Sequence, residues 1–301
     1  ADELRVRKQN LATLLTLEMG KPISEAIAEV EKCAVTCEYY AEQATAMMRP
    51  ELVVTDSYES YVEFNALGVI LAVMPWNYPY WQVIRALAPA LVVGNTVVLK
   101  HAENTTGCSL ALVNAVEAAG FPGGTLTSLV IDVSDVADVI GDDRIAAVTL
   151  TGSTRAGRAV ARAAGGSLKK TVLELGGSDP FIVLADADLE AAADWAVRSR
   201  FQNAGQSCIA AKRLIVEESI ADKFIDHLVS RVRLFEVGDP SESRTTIGPL
   251  AREDLRNGLA RQVEESVKMG AVALTGGGAP GGPGWFYMPT ILSSVERGMP
   301  I

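Results

Sequence analysis

Residues 67–100 read LGVILAVMPWNYPYWQVIRALAPALVVGNTVVLK, and the fold follows from this stretch. Its ends, 67–74 and 95–100, are near-continuous apolar runs of strand length, and the intervening 80–93 reads as an amphipathic helix. A strand apolar on both sides has no solvent face, so it belongs in a parallel sheet covered by helices on both faces. The alternation continues down the chain. Strand-like runs at 126–131, 145–151 and 168–175 are separated by helix-like stretches at 104–119, 134–141 and 153–165. Asn104 or Thr105 is placed to cap one of these helices and Ser153 another, while Gly120 with Pro122 ends the first.

Upstream, residues 4–19 predict a helix broken by Gly20-Lys21-Pro22. A second helix starts near Ser24 and sets Ile27, Val30, Ala34, Cys37 and Ala41 on one apolar stripe. Over 52–64 the period changes: Val62 and Phe64 alternate with Tyr61 and Glu63, as in a half-exposed antiparallel strand. Downstream, a second α/β unit begins near Pro180, with strands at 181–184 and 212–217 and a helix at 219–235. No internal repeat or low-complexity tail interrupts this order.

The chain has 301 residues, 49% of them hydrophobic, enough for a large core and two packed domains. With 27 Lys+Arg against 37 Asp+Glu the net charge is -10, an acidic balance that repels nucleic acid and anionic membranes, so neither is predicted as a partner. Apolar runs such as 67–75 fall far short of the ~20 residues of a spanning helix. Four cysteines without a disulfide-like spacing predict a reducing compartment, read as the cytoplasm, with a targeting segment ahead of Ala1 left open. Cys33 and Cys37 lie one helical turn apart but have no His or further Cys beside them, so they predict packing and no metal site. Cys108 reads as core. The two histidines, His101 and His227, give no local signature of a Cys–His dyad with Cys208.

Two phosphate-loop patterns arise. Gly276, Gly278 and Gly281 satisfy G-x-G-x-x-G but lead into Pro280, Pro283 and Trp285 rather than a helix, so the pattern is discounted. Gly152-Ser153-Thr154-Arg155-Ala156-Gly157 continues with Arg158-Ala159 in place of the Lys and Ser/Thr of a nucleoside triphosphate loop. It still reads as strand, glycine turn and helix start, where a phosphate or nicotinamide can meet backbone N–H groups, although most such turns merely cap helices.

Four further segments belong together: Pro75-Trp76-Asn77-Tyr78-Pro79, Val97-Val98-Leu99-Lys100-His101-Ala102-Glu103, Glu174-Leu175-Gly176-Gly177 and Asn203-Ala204-Gly205-Gln206-Ser207-Cys208. The first three end predicted parallel strands, where open α/β sheets bind ligands. In this order and spacing they resemble the aldehyde dehydrogenase superfamily over essentially the whole chain. The runs 75–85, Lys100-His101-Ala102 and 174–181 are most similar to bacterial succinate-semialdehyde dehydrogenases. The resemblance implies an α/β fold with a doubly wound cofactor domain at 1–47 and 67–176. It also implies oligomerisation strands at 48–66, an α/β catalytic domain at 177–301, and a homo-oligomer when full length.

The residue types fit that chemistry. Hydride loss from an aldehyde needs a tetrahedral adduct first, and a thiolate makes one. A lone cysteine is most often a small buried hydrophobe, but the Gln206-Ser207-Cys208 context singles out Cys208 as nucleophile. Asn77, otherwise a turn-capping residue, can donate its amide to the developing oxyanion. Glu174, otherwise a solvated strand-end carboxylate, resembles the base that activates water against the thioester, and beside Gly-Gly it is expected to be partly buried and thereby more basic. The resemblance places NAD(P)+ against Trp76, Lys100, Glu103, Gly152, Ser153, Leu175 and Gly176. A Glu at 103 accepts from ribose hydroxyls and crowds a 2′-phosphate, which tilts the reading to NAD, whereas many semialdehyde relatives use NADP.

Arg85 matches a carboxylate-binding Arg of succinate-semialdehyde enzymes, a fork of donors suited to a planar carboxylate. Read alone, it is an ordinary surface Arg. Some members carry a second Arg six residues before the nucleophile, where this chain has Gln202, able to donate one neutral hydrogen bond. Trp81, Ser207 and Ile209 are expected to line the same tunnel. The family's Glu-x-Phe-Gly-Pro segment and C-terminal strand do not occur before Ile301, so the isolated chain is expected to be poorly soluble and nearly inactive. Two alternatives stand beside the semialdehyde reading: an aldehyde dehydrogenase for another aldehyde, including a CoA-acylating one, and a catalytically inactive structural relative. Glu174 argues against the acylating type, and the joint presence of Cys208, Asn77 and Glu174 against the inactive one.

Overall fold

The computed structural model describes residues 1–301. The chain forms two compact units, Ala1–Leu15 with Ile27–Leu175, and Thr16–Ala26 with Gly176–Ile301. It opens with α1 (Asp2–Val6), α2 (Lys8–Met19) and α3 (Ile23–Met47), so the helix predicted over 4–19 is two helices interrupted at Arg7. The turn between α2 and α3 packs within the second unit. Gly20 takes φ +81°, and a Cβ there would stand 2.7 Å from Pro249 Cγ. Ile23 N–H donates to Pro240 O at 2.8 Å.

The strand predicted over 52–64 is only a short hairpin. β1 (Glu51–Leu52) pairs antiparallel with β2 (Tyr61–Val62), Leu52 against Tyr61. Both faces are open, with Val54 100% exposed, because no other part of the unit covers the hairpin on either side.

The regular part of the first unit then runs β3 (Val69–Met74), α4 (Trp81–Val92), β4 (Thr96–His101), α5 (Thr106–Ala118), β5 (Leu126–Ser128), α6 (Val136–Gly141), β6 (Ile145–Gly152), α7 (Thr154–Gly166) and β7 (Lys170–Leu175). All five strands are parallel in the order β5-β4-β3-β6-β7. The chain winds from β3 outward to β5, then returns beside β3 to lay down β6 and β7. This is the predicted doubly wound sheet, with its switch point between β3 and β6, where such sheets hold ligands. Leu71, Val148 and Leu150 pack with Ile140, Val160 and Ala164 to bury the inner strands. β7 differs from the fully buried strand expected at 168–175. It is the edge strand, its residues are mostly exposed, and Leu168 turns out of it at φ +54°.

Ser153 Oγ accepts from Ala156 N at 3.2 Å and caps α7 as predicted. Neither Asn104 nor Thr105 caps α5 with its side chain. A 3-10 turn over Glu103–Thr105 precedes the helix, and Thr105 Oγ1 turns to His101 Nδ1 at 2.7 Å instead.

The second unit contains β8 (Asp179–Val183), α8 (Leu189–Phe201), β9 (Ala211–Val216), α9 (Ala221–Val232), α10 (Glu253–Lys268), β10 (Val272–Thr275) and β11 (Ile291–Ser293). β8 and β9 pair in parallel. Val183, Ala193, Ala196, Phe224 and Leu228 form the core between this pair and α8 with α9, while Ile182 and Ile215 stay exposed. No helix follows the glycines at 276–281, which removes that sequence as a nucleotide loop. No helix in the chain is long and apolar enough to cross a membrane.

Candidate active site

In the first unit the candidate residues stand on the carboxyl edge of the sheet because the strands there are in register. Val73 pairs with both Lys100 and Leu150, and Thr151 with Glu174. Trp76 and Asn77 occupy the turn after β3, Lys100 the end of β4 and Glu103 the 3-10 turn just beyond it, Gly152 and Ser153 the passage from β6 into α7, and Glu174 the end of β7. Lys100 is buried and Glu103 exposed. Leu175 is directed inward: a Cβ on Gly157 would lie 2.6 Å from Leu175 Cδ2, so α7 packs directly on this side chain. Its side chain is partly buried against the core.

The Asn77 turn is braced from two sides. Pro79 O can only accept, so His101 Nε2 carries the hydrogen and donates to it at 2.9 Å. His101 Nδ1 in turn accepts from Ala102 N at 2.9 Å. Glu29 Oε1, on buried Glu29 of α3, accepts from the backbone N–H groups of Tyr80 and Trp81, each at 3.0 Å. α4 has no acidic residue in its own first turn, so Glu29 supplies the negative charge its N-terminus favours. One turn apart on α4, Trp81 carries Lys32 Nζ over its ring at 3.9 Å, and Arg85 Nη2 lies 3.3 Å from Glu174 Oε2. The Glu174 side chain is half-buried, 50% exposed, at the end of edge strand β7.

In the second unit Cys208 stands in a turn with an unusual backbone leading into it. Asn203, Ala204 and Gly205 take φ of 57°, 52° and 77° in succession. Left-handed backbone costs a non-glycine residue roughly 1–2 kcal/mol, so this turn persists only if its surroundings hold it. They do. Asn203 N donates to Glu25 Oε2 at 2.8 Å, and Gln206 Nε2 to Asn203 O at 3.1 Å. Asn203 Nδ2 donates to Gln206 O at 3.2 Å, and Ala251 N to Gln206 Oε1 at 3.0 Å. Arg200 Nη1 donates to Gly205 O at 3.1 Å, and burial pushes this guanidinium below its ordinary range. Lys212 Nζ donates to Gly177 O and to Cys208 O, the latter at 3.4 Å.

Around Cys208, Ser207 is buried, whereas Gln202 and Ile209 are exposed. The other thiols are poorer nucleophile candidates. Cys33 and Cys108 are fully buried, and burial pushes the Cys37 thiol up. An apolar cavity of about 230 Å³ lined by Leu4, Cys37, Leu87, Leu112 and Phe121 contains none of the candidate residues and few polar groups, so the site is not there.

The sequence reading missed Glu25, Glu29, Arg200 and Lys212. Each is an ordinary charged residue in the sequence, and its role exists only through a partner backbone that folding brings to it. The carboxyl edge does fit a dinucleotide. α7 presents a first turn with no acidic residue and an exposed Arg155, and Lys100 lies buried near the end of β4, on the far side of β3 from β6.

These features define a doubly wound α/β protein with a ligand-binding carboxyl edge and, in its second unit, a braced cysteine turn. The aldehyde dehydrogenase family profile matches residues 1–301, and the chain belongs to that family. It is 51% identical over 300 residues to a probable succinate-semialdehyde dehydrogenase (NADP+) of Synechocystis sp., covering 100% of this chain and 66% of that protein. It is 48% identical over 296 residues to a succinate semialdehyde dehydrogenase (NAD(P)+) of Escherichia coli, covering 98% and 64%. The crystal structure of succinic semialdehyde dehydrogenase from Streptococcus pyogenes in complex with NADP+ superposes with a TM-score of 0.96 at 39% identity, over 99% of this chain and 65% of that one. The chain thus spans just under two thirds of the length of these relatives.

Proposed function

We propose that the protein carrying this chain oxidises succinic semialdehyde to succinate with NAD(P)+. The observation that carries this reading is the cysteine turn: among four thiols, Cys208 alone stands in a polar, partly open turn that two long-range hydrogen bonds and several local ones hold in an otherwise costly shape. Over the whole reaction, aldehyde, water and oxidised cofactor become carboxylate, reduced cofactor and two protons.

The Cys208 thiolate adds to the aldehyde carbon and forms the C–S bond of a thiohemiacetal. The Asn77 amide donates to the oxygen on which charge develops. The cofactor, when bound, supplies the hydride acceptor, and Trp76, Lys100, Glu103, the backbone of Leu175 and Gly176, and the Gly152-Ser153 turn at the head of α7 would hold it. Loss of hydride leaves a thioester on Cys208. Glu174 takes a proton from water, the hydroxide oxygen attacks the thioester carbon, and the C–S bond breaks to return the thiolate. By the family resemblance, Arg85 holds the carboxylate at the far end of the substrate, and Gln202, Trp81, Ser207 and Ile209 are further substrate contacts.

Both cofactors are proposed to serve. Glu103 favours NAD+, yet it is exposed and able to turn aside for a 2′-phosphate, and the relatives above are named for NADP+ in one case and for either cofactor in the other. The open β1–β2 hairpin supports pairing between subunits of a homo-oligomer, and the free thiols support a cytoplasmic setting. The test is NADH and NADPH formation from succinic semialdehyde, with and without Cys208→Ala. Turnover that disappears in the variant supports the reading. Absence of turnover with this and other simple aldehydes overturns it.

A further inference from the structure

Arg85 and Glu174 have each been assigned a task, but the structure has them engaged with one another. Arg85 Nη2 is 3.3 Å from Glu174 Oε2, and no other carboxylate is within ion-pair reach of this guanidinium. The two come from different elements, the second turn of α4 and the end of edge strand β7, so the contact is made by the fold and not by sequence neighbours. Their side chains are 38% and 50% exposed, which leaves the pair open to a small anion. A carboxylate oxygen lying against a guanidinium is occupied by it, so Glu174 must leave this position before that oxygen can take a proton from water. A second carboxylate arriving at the same fork of donors competes for it on equal chemical terms.

We propose that Arg85 restrains Glu174 and that the substrate's own carboxylate releases it. On this account Arg85 has two effects: it anchors a carboxylate-bearing aldehyde, and by exchanging partners it frees the base for thioester hydrolysis only when such a substrate is bound. Arg85 is thus a positioning residue for Glu174 as well as a binding residue. Aldehydes without a carboxylate form the thioester but leave the base on Arg85, so specificity is exerted at hydrolysis as well as at binding. This inference rests on the proposed role of Arg85 as the carboxylate anchor.

The experiment measures thioester lifetime on Cys208 by rapid quench in the protein carrying this chain, using butanal, which matches the chain length of succinic semialdehyde but lacks its carboxylate. In Arg85→Gln the butanal thioester is hydrolysed about two- to fivefold faster, the range an exposed ion pair permits. For succinic semialdehyde the same variant raises KM about ten- to a hundredfold, the loss of a charge-assisted hydrogen bond. A second measurement does not depend on the variant's folding: propionate added to the unaltered protein shortens the butanal thioester lifetime, and the effect saturates. A lifetime unchanged or lengthened in Arg85→Gln, or no response to propionate, overturns the inference even if KM rises. An unchanged KM for succinic semialdehyde instead overturns the anchor role on which the inference rests.

Discussion

The two units present their reactive residues by different means. In the first, Asn77, Lys100, Gly152 and Glu174 stand where parallel strands of one sheet end, and strand register sets their spacing. In the second, Cys208 follows three left-handed residues that no regular element supports. The turn is held by Glu25, Arg200 and Gln206, and the Glu25 contact spans 178 positions of sequence. A sheet edge offers many positions to evolving function at low cost, because the strands are stable whatever stands at their tips. A braced turn fixes one atom closely, but its shape fails when a single brace is lost. The difference suits the tasks proposed here, since binding tolerates small displacements and nucleophilic attack does not.

Changes at chemical atoms should have the largest effects in either unit. Cys208→Ala is expected to reduce aldehyde oxidation to background, with cofactor binding by fluorescence titration retained because no cofactor-edge residue is altered. Retained turnover would overturn the assignment of the second unit. Glu174→Gln in the first unit should lower steady-state turnover about 10²- to 10⁴-fold while leaving a burst of reduced cofactor, since hydride loss precedes the need for a base. No burst would place Glu174 before the thioester and break the proposed order of steps.

Glycine substitutions sharpen the comparison at smaller magnitude. Gly205→Ala puts a Cβ at φ +77° and 3.2 Å from Arg200 O, and is expected to cost roughly 1–3 kcal/mol in chemical denaturation. At Gly176 nothing lies within 4 Å of an added Cβ, so Gly176→Ala should change stability by less than about 0.5 kcal/mol and raise the KM for cofactor instead. If both variants lost stability alike, the contrast between braced turn and open edge would fall. The smallest effect concerns thiol reactivity. Burial raises the Cys37 thiol, which therefore stays protonated to higher pH than an ordinary cysteine. Iodoacetamide at neutral pH should label Cys208 first, with Cys37 following only as the pH rises. Equal rates would remove one argument for Cys208.

The sequence made the first unit legible almost throughout, because near-continuous apolar strands and amphipathic helices announce a covered parallel sheet wherever they alternate. Ser153 was readable as a cap because that contact closes within three residues. Thr105 differs because two local partners competed for its hydroxyl, which turned to the His101 ring four residues back rather than to the helix N–H groups. α10 escaped notice because its charged surface leaves few apolar positions, with Val263 and Ser266 the buried ones. β7 reads as a strand covered on both faces because strand sequence does not reveal which strand forms the edge of a sheet, and β7 is the edge.

What the sequence determined by itself was therefore the α/β alternation and the family, both of which depend on residue type and local spacing, and through the family it pointed to Cys208, Glu174 and Asn77 as candidates. Only the tertiary structure decided that Thr16–Ala26 packs with the second unit, that Glu29 completes the start of α4, that Glu25 holds the turn before Cys208, and that Arg85 rests on Glu174. The physical reason is common to all four. Each depends on a charged side chain or chain segment meeting a partner far away in sequence. Such a meeting is favourable only once the backbone entropy of bringing the partners together has been overcome by the burial that builds each unit.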